Sequence, residues 1–492
     1  FQISDLHLSI FHDEGRVTSF KKFASETVSI IKPSVVLASG DLTDAKTIDM
    51  LGSRQYIKEW TSYNDVLTES GVKNKTVWLD IRGNHDNFNV PSLSSSNNFY
   101  QRFSVQGPKH QRSYMYTLRK GYDTMSFIAV DACLLPGPRR PFNFIGVLTS
   151  KEMEALKSFE IESRKHNNTI WFGHYPTSCI VSPEPGIRKL MGRGLAYLCG
   201  HLHTLGGLAR SLYTRQQTGS LELELGDWKD ERLFRVGVTD HGLFSFVDVA
   251  LDDWPIILIT NPKNAMFVMT HNEPFHLTFH STHIRTSKIS EVKVRLHEKG
   301  KWHLMIHVEG PLYVASWTPT KYAEGIHTIE VSAKDIRGRK NVVSQSFALD
   351  NSQVNFGLWS RAILMSNISV VFQFLFGLSI CLCIIPLCAI RWIHYRVKGK
   401  QKNKMARPRI NTWIMQIWLR KLWILCCIDK LFWPLVLYSA YLPIGPWFIG
   451  EVLENHIGVV FAWGTFVYSS YLPGSLTYAY GFLQVPITTL HL

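Results

Sequence analysis

Along the first 203 residues, short apolar runs stop repeatedly at one kind of residue: an Asp, Asn or His, most often behind a glycine. Phe1–Ser4 runs into Asp5-Leu6-His7, and Ser34–Ser39 runs into Gly40-Asp41. Thr76–Ile81 leads to Gly83-Asn84-His85-Asp86, Asn168–Phe172 to Gly173-His174, and Gly194–Cys199 to Gly200-His201-Leu202-His203. These runs have the length and apolar character of buried strands, and Met125–Asp131 is a further one. Helix-like stretches lie between them at Ser19–Ile31, Thr47–Ser70 and Thr149–Asn167. Strands alternating with helices predict a layered α/β sheet. Loops at one edge of such a sheet converge on one crevice, so the five motifs are expected to meet. Phe1 and Ile3 alternate with Gln2 and Ser4 like the end of a strand. The start of that strand, with any signal peptide, is expected upstream.

Each motif alone is weak, because an Asp-x-His or Gly-His is usually a turn or a satisfied polar pair. Together they supply carboxylate, amide and imidazole donors, which suit borderline divalent metals such as Mn, Fe and Zn. The glycines allow tight turns and close backbone approach. In order and spacing the five motifs resemble those of the calcineurin-like metallophosphoesterases, over residues 1–252. The resemblance implies a four-layer αββα sandwich holding two divalent metal ions of Mn, Fe or Zn type. It implies that Asp5, His7 and His203 hold one ion, that Asn84, His174 and His201 hold the other, and that Asp41 bridges both. It further implies that His85 is a catalytic acid or transition-state donor and that Asp86 orients it. Purple acid phosphatases of the same superfamily carry a metal-binding Tyr three residues after the Gly-Asp aspartate. Here that residue is Asp44, which argues against a phenolate-bound ferric site and reads as the N-cap of the helical stretch that follows.

The remainder of the chain changes character twice. From Leu221 to Val249 the pattern alternates strictly, as in closing hairpins. Residues 253–352 read as an all-β, immunoglobulin-like sandwich: Val292, Val294 and Leu296 alternate with charges, Trp302, Leu304 and Ile306 follow in phase, and Ile329, Val331 and Ala333 repeat the pattern. Residues 367–492 read as a multi-span transmembrane region. Ile368–Ile390 has no charge and is long enough to span a bilayer. Trp413–Cys427, broken by Arg420 and Lys421, reads as an interfacial helix, and Leu431–Gly450 and Ile457–Leu483 read as further spans.

Charge and cysteine usage narrow the partners. The net charge of +14 is concentrated, with eight basic residues between Arg391 and Arg409, directly after the first span. That placement orients a membrane protein and leaves no spread-out face for nucleic acid, so no nucleic-acid partner is expected. The lipid bilayer is a partner, with anionic lipid a candidate partner at 391–409. A cytosolic 391–409 puts the catalytic domain on the lumenal or extracellular side of a multi-pass membrane protein. The sequons at Asn74, Asn167 and Asn367 agree with a glycoprotein, Asn367 lying too near the bilayer for modification. Cys133, Cys179 and Cys199 are irregularly spaced in the soluble part, so no disulfide framework is expected.

Other candidate residues have ordinary explanations. His12 and Asp13 read as a loop, Arg139 and Arg140 as a surface turn between prolines, and the histidines between 271 and 307 as exposed strand faces. The functional expectation is a membrane-anchored phosphoesterase that hydrolyses a phosphate mono- or diester substrate. The alternative is a membrane scaffold whose metallophosphoesterase fold binds metal or a phosphorylated ligand without turnover.

Overall fold

The computed structural model describes residues 1–205, 207–209, 211–269, 280–285, 289–297, 300–350, 352–398, 413–474 and 476–490. They form two compact units, 1–367 and 368–492.

Two mixed sheets face each other in the first part of unit one. The first has the strand order 243–250, 233–240, 2–3, 35–39, 77–81. Its last three members are parallel, and a closing hairpin forms the other edge. The second sheet has the order 213–215, 221–224, 196–199, 168–173, 123–130, 114–120, with four parallel central strands and an antiparallel strand at each edge. Val35, Leu37, Leu79 and Ile81 of the first sheet share a core with Phe127, Ile170, Phe172, Leu198 and Leu223 of the second. The opposite face of the first sheet, with Val36, Ala38 and Trp78, packs on Phe20, Phe23, Trp60, Tyr63 and Leu67 of the helical layer. Helix Ser150–Ser163 contacts the 123–130 and 114–120 strands and opens with a Thr149–Glu152 capping box.

The expected Thr47–Ser70 helix is shorter in the structure. The helix is Ile57–Glu69, with Tyr56 at its N-cap. Ala45 and Met50 adopt positive φ, and residues up to Tyr56 form a loop. Asp44 is therefore not a helix cap.

Residues 256–348 build two four-stranded sheets with Ile257, Ile259, Val292, Val294, Ile329, Val331 and Phe347 between them. The sandwich expected over 253–352 is present. Within it, the phase expected at Trp302, Leu304 and Ile306 fails. Strand His303–Leu304 belongs to one sheet and Ile306–Glu309 to the other, so the chain crosses between sheets and the alternation slips by one. Met305 is buried, while Leu304 and Ile306 stand 68% and 69% exposed. His271 and His276 lie outside the described residues.

In unit two, Ile368–Arg396 is the one described helix long and apolar enough to cross a membrane by itself. The pair Arg420–Cys427 and Asp429–Tyr441 passes the same test only jointly, bent by 92°. In place of the expected span at Leu431–Gly450 the helix is Asp429–Tyr441, 13 residues, which at about 1.5 Å per residue is by itself shorter than a bilayer core of about 30 Å. The expected helical span at Ile457–Leu483 is replaced by strands over most of its length. Strands Phe448–Leu453, His456–Val460, Gly464–Val467 and Ser470–Pro473 form an antiparallel sheet before helix Leu476–Leu490 begins. β-branched and aromatic residues favour strands here. Tyr468 and Ser469 both take positive φ, as a tight two-residue hairpin turn requires. The basic residues 399–409 lie outside the described residues.

Candidate active site

All five motifs lie at the same edge of the two sheets. Their loops are laced together by backbone bonds: Asp5 N donates to Gly40 O at 3.0 Å, His7 N to Asp41 O at 2.9 Å, and Gly200 N to His174 O at 2.9 Å. Asp5, His7, Asp41, His201 and His203 all take positive φ, between 45° and 84°. Non-glycine residues visit that region at a cost, so its recurrence at five of the seven expected ligands marks a strained loop cluster. Two glycines are fixed by crowding. A Cβ on Gly83 would stand 2.2 Å from Asp41 Oδ1, and one on Gly200 would stand 2.2 Å from Asp5 Oδ2.

The side chains converge in two overlapping sets. In the first, His203 Nε2 lies 3.0 Å from Asp5 Oδ1, and His7 Nε2 lies 3.8 Å from Asp5 Oδ1 and 3.5 Å from Asp41 Oδ2. In the second, His174 Nε2 lies 3.4 Å from Asp41 Oδ1, 3.0 Å from Asn84 Oδ1 and 3.1 Å from His201 Nδ1. His201 Nδ1 is itself 3.0 Å from Asn84 Oδ1. Asp41 is common to both sets. Ligands about 2.0–2.2 Å from one ion stand roughly 3–3.5 Å from each other, which is the spacing of most of these pairs.

The hydrogen bonds on the far side of each ring support the same reading. His174 Nδ1 faces Ser39 O at 3.2 Å, and a carbonyl only accepts, so Nδ1 carries the proton and Nε2 offers its lone pair to the cluster. His203 Nδ1 donates to Asp227 at 2.7 Å and His7 Nδ1 to Asp44 at 3.2 Å, again leaving Nε2 directed at the carboxylates. Metal-binding histidines are typically held this way. His7 Nε2 is buried with no hydrogen-bond partner, a costly state that a cation would relieve. The donor set therefore fits divalent metal ions.

The electrostatics of the bare protein point the same way. Burial raises the Asp5 carboxyl, but the charges and hydrogen bonds of His203 and His7 outweigh it and hold the group well below the usual range. Burial likewise raises Asp41, and His174, His85 and His7 overcome it. Burial lowers His174 and His203, yet Asp41 lifts the former to about 9 and Asp5 with Asp227 lifts the latter to about 10. Burial and the charge of His174 depress His201 to about 3. Two buried carboxylates thus draw positive charge onto His174 and His203.

His85 sits at the rim of this cluster, with Nε2 3.8 Å from Asp41 Oδ2. Its Nδ1 donates to the Asp44 carbonyl at 2.5 Å, which leaves Nε2 as the atom able to exchange a proton. Burial holds its pKa well below the ordinary imidazole value. The expected contact between Asp86 and His85 is not among the hydrogen bonds of the described residues. Asp86 instead accepts from the backbone N–H groups of Leu42, Thr43 and Gly83 at 2.8–3.0 Å, and so pins the two ligand loops to each other. Orientation of His85 falls to Asp44, whose carboxylate also takes His7 Nδ1 and the Lys46 ammonium at 2.9 Å.

Asp44 and Asp227 are the supporting residues that sequence reasoning missed. Asp227 carried a legible signal, because Gly226-Asp227 repeats the Gly-Asp ending two residues beyond strand Leu221–Glu224. Of the other candidates, His12 Nε2 contacts Thr47 O, Asp13 pairs with Arg232, and Arg140 Nη1 donates to Met50 O.

This fold and donor set define a calcineurin-like phosphoesterase domain, and the family model of that description matches residues 1–205. Models described as the TMEM62 Ig-like domain and the TMEM62 C-terminal domain match residues 251–353 and 373–490. Mouse (Mus musculus) transmembrane protein 62 is 43% identical over 490 residues, covering 98% of this chain and 74% of the relative. The chain belongs to the transmembrane protein 62 family. An Arabidopsis thaliana protein with a metallophosphoesterase name is 28% identical, covering 92% of this chain and 71% of its own. Among solved structures, a purple acid phosphatase from yellow lupin (Lupinus luteus) seeds is similar at a TM-score of 0.32 and 11% identity, covering 62% of this chain and 52% of that one.

Proposed function

We propose that the chain is a membrane-anchored, metal-dependent phosphoesterase that hydrolyses a phosphate mono- or diester. The observation that carries this reading is the convergence of Asp5, His7, Asp41, His174 and His203 with ligand atoms within 4.8 Å of one another in overlapping groups. Asp5, His7 and His203 would hold one divalent ion, Asn84, His174 and His201 the second, and Asp41 both. Bound ions of this kind supply an activated water and positive charge for the phosphate oxygens. His85 Nε2 faces the same space and would protonate the leaving oxygen or stabilise the transition state. Asp44 and Asp86 position these groups without touching substrate. Ile368–Arg396 is the anchor, and the basic residues after it favour a lumenal or extracellular catalytic domain.

The test uses the purified full chain in detergent with mono- and bis-(p-nitrophenyl) phosphate, with Mn added and with a chelator. Metal-dependent turnover that disappears in Asp41→Ala and in His85→Ala is the expected result. Stoichiometric metal binding without turnover on either ester would replace the enzyme with the scaffold reading.

A further inference from the structure

Helix Leu358–Met365 closes unit one, two residues before the apolar helix Ile368–Arg396 begins. One side of it is fastened to the phosphoesterase domain. Leu364 is fully buried, and Ser360 Oγ donates to Ser211 O at 2.9 Å. Arg188 closes the C-terminal end, donating to Leu364 O at 2.8 Å, Met365 O at 3.1 Å and Ser366 O at 2.5 Å. Gln216 adds a bond to Leu364 O at 3.2 Å. The last carbonyls of a helix lack partners within it, and a guanidinium that fills three of them fixes the end rigidly.

The other side is bare and apolar. Leu358 and Trp359 are 77% and 73% exposed, and Arg361 is exposed beside them. A soluble surface rarely leaves a neighbouring Leu and Trp this open without a use. Where the chain goes next limits what can cover them. Eight helical residues extend about 12 Å, and the polar zone on each side of a bilayer core is roughly 5–8 Å deep. A helix this short, joined by two residues to a membrane span, keeps its residues within roughly 20 Å of the bilayer core, and lying along the surface brings Leu358 and Trp359 to the headgroups. Tryptophan favours that zone because its ring is apolar while its N–H stays hydrated, and an arginine there meets lipid phosphate.

We propose that the Leu358–Trp359–Arg361 face of this helix lies in the headgroup zone of the bilayer and is a second membrane contact of the protein, separate from the span. The inference rests on the reading of Ile368–Arg396 as a span. The footing also bears on the site, because Arg188 Nε donates to Thr177 Oγ1 at 2.8 Å, three residues beyond His174. Thr177 is in turn held through its backbone N–H and hydroxyl by the buried Glu222. The helix and a metal-ligand loop therefore share one polar network.

The experiment labels the full chain with 5-fluorotryptophan, reconstitutes it in lipid nanodiscs and assigns the Trp359 fluorine resonance by its loss in Trp359→Phe. A lipid carrying a headgroup nitroxide is then compared with a soluble gadolinium chelate. Selective broadening of the Trp359 resonance by the lipid label is the expected result. Broadening by gadolinium alone makes the face solvent-exposed and overturns the proposal. Protection from both agents assigns the face to a protein partner and overturns it too. Trp392, inside the apolar helix, is the control: if its resonance also ignores the lipid label, the span reading has failed, and the footing falls with it.

Discussion

At the scale of single residues, the proposed function separates groups that would touch metal or substrate from groups that aim them. Asp41→Ala removes the one carboxylate shared by both ligand sets, so metal content and turnover are expected to fall together; elemental analysis alongside the ester assay reads both. His85→Asn leaves every ligand in place. It should keep its metal while turnover drops by about 10²–10⁴-fold, the usual worth of a positioned acid–base group. Asp227→Asn weakens the bond that fixes His203, and metal affinity is expected to fall about 10–100-fold, read by competition with a chelating indicator. Glu59 gives a pH signature away from the ligands. Burial raises its carboxyl to about 8, although Ala45 N and Ile10 N donate to it at 2.9 and 3.2 Å. A raised carboxyl stabilises the fold fully below its unfolded value of about 4.5 and loses that contribution as pH climbs through about 8. Glu59→Gln mimics the protonated form, so its unfolding midpoint should gain on the parent's as pH rises from about 5 to 8.5.

At the scale of elements, the strand ends were the legible part. Each ligand directly follows an apolar run, and such a run is long and regular enough to be read without knowing its neighbours. Asp44 was misread because the residues after it alternate like a helix, while the structure loops as far as Tyr56 before Ile57 starts one. Asp86 was misread because its neighbour in sequence, His85, is not its partner; it bonds backbone 43 and 44 residues away, and such pairings appear only once the loops are folded. The membrane-side errors have another cause. Strands Phe448–Pro473 and a spanning helix are equally apolar, so composition fails to separate them, and only the turn residues Asn455, Tyr468 and Ser469 carry the distinction. The clamp at Met365 was illegible for the same reason as Asp86, with Arg188 and Leu364 176 residues apart. Arg188→Ala strips a charged donor from buried carbonyls, at a cost of about 1–3 kcal/mol. Hydrogen exchange should then speed up across 358–366 while the 35–39 strand keeps its protection.

At the scale of the whole molecule, under the proposed function the direction in which the phosphoesterase domain faces decides which phosphate esters it meets. In the proposed orientation the basic residues from Arg391 to Arg409, at and beyond the end of the apolar helix, stay in the cytosol. One crossing by Ile368–Arg396 would then leave residues 1–367 on the other side, where Asn-x-Thr sites would be open to glycosylation. Asn74 and Asn167 are both exposed. Asn167 also uses its side-chain oxygen to accept from Thr124 N and Thr124 Oγ1 at 2.8 and 2.9 Å, which leaves its amide nitrogen as the group a glycan would take. In a eukaryotic host the full chain should therefore run as a doubly glycosylated species. Asn74→Gln and Asn167→Gln should each remove one endoglycosidase-sensitive step, while Asn367→Gln changes nothing, because Ile368 already begins the span. If neither site carries a glycan and protease added to the cytosolic face digests residues 1–367, the domain faces the cytosol. The membrane would then be crossed an even number of times or not at all, and the charge at 391–409 would serve lipid contact instead of orientation.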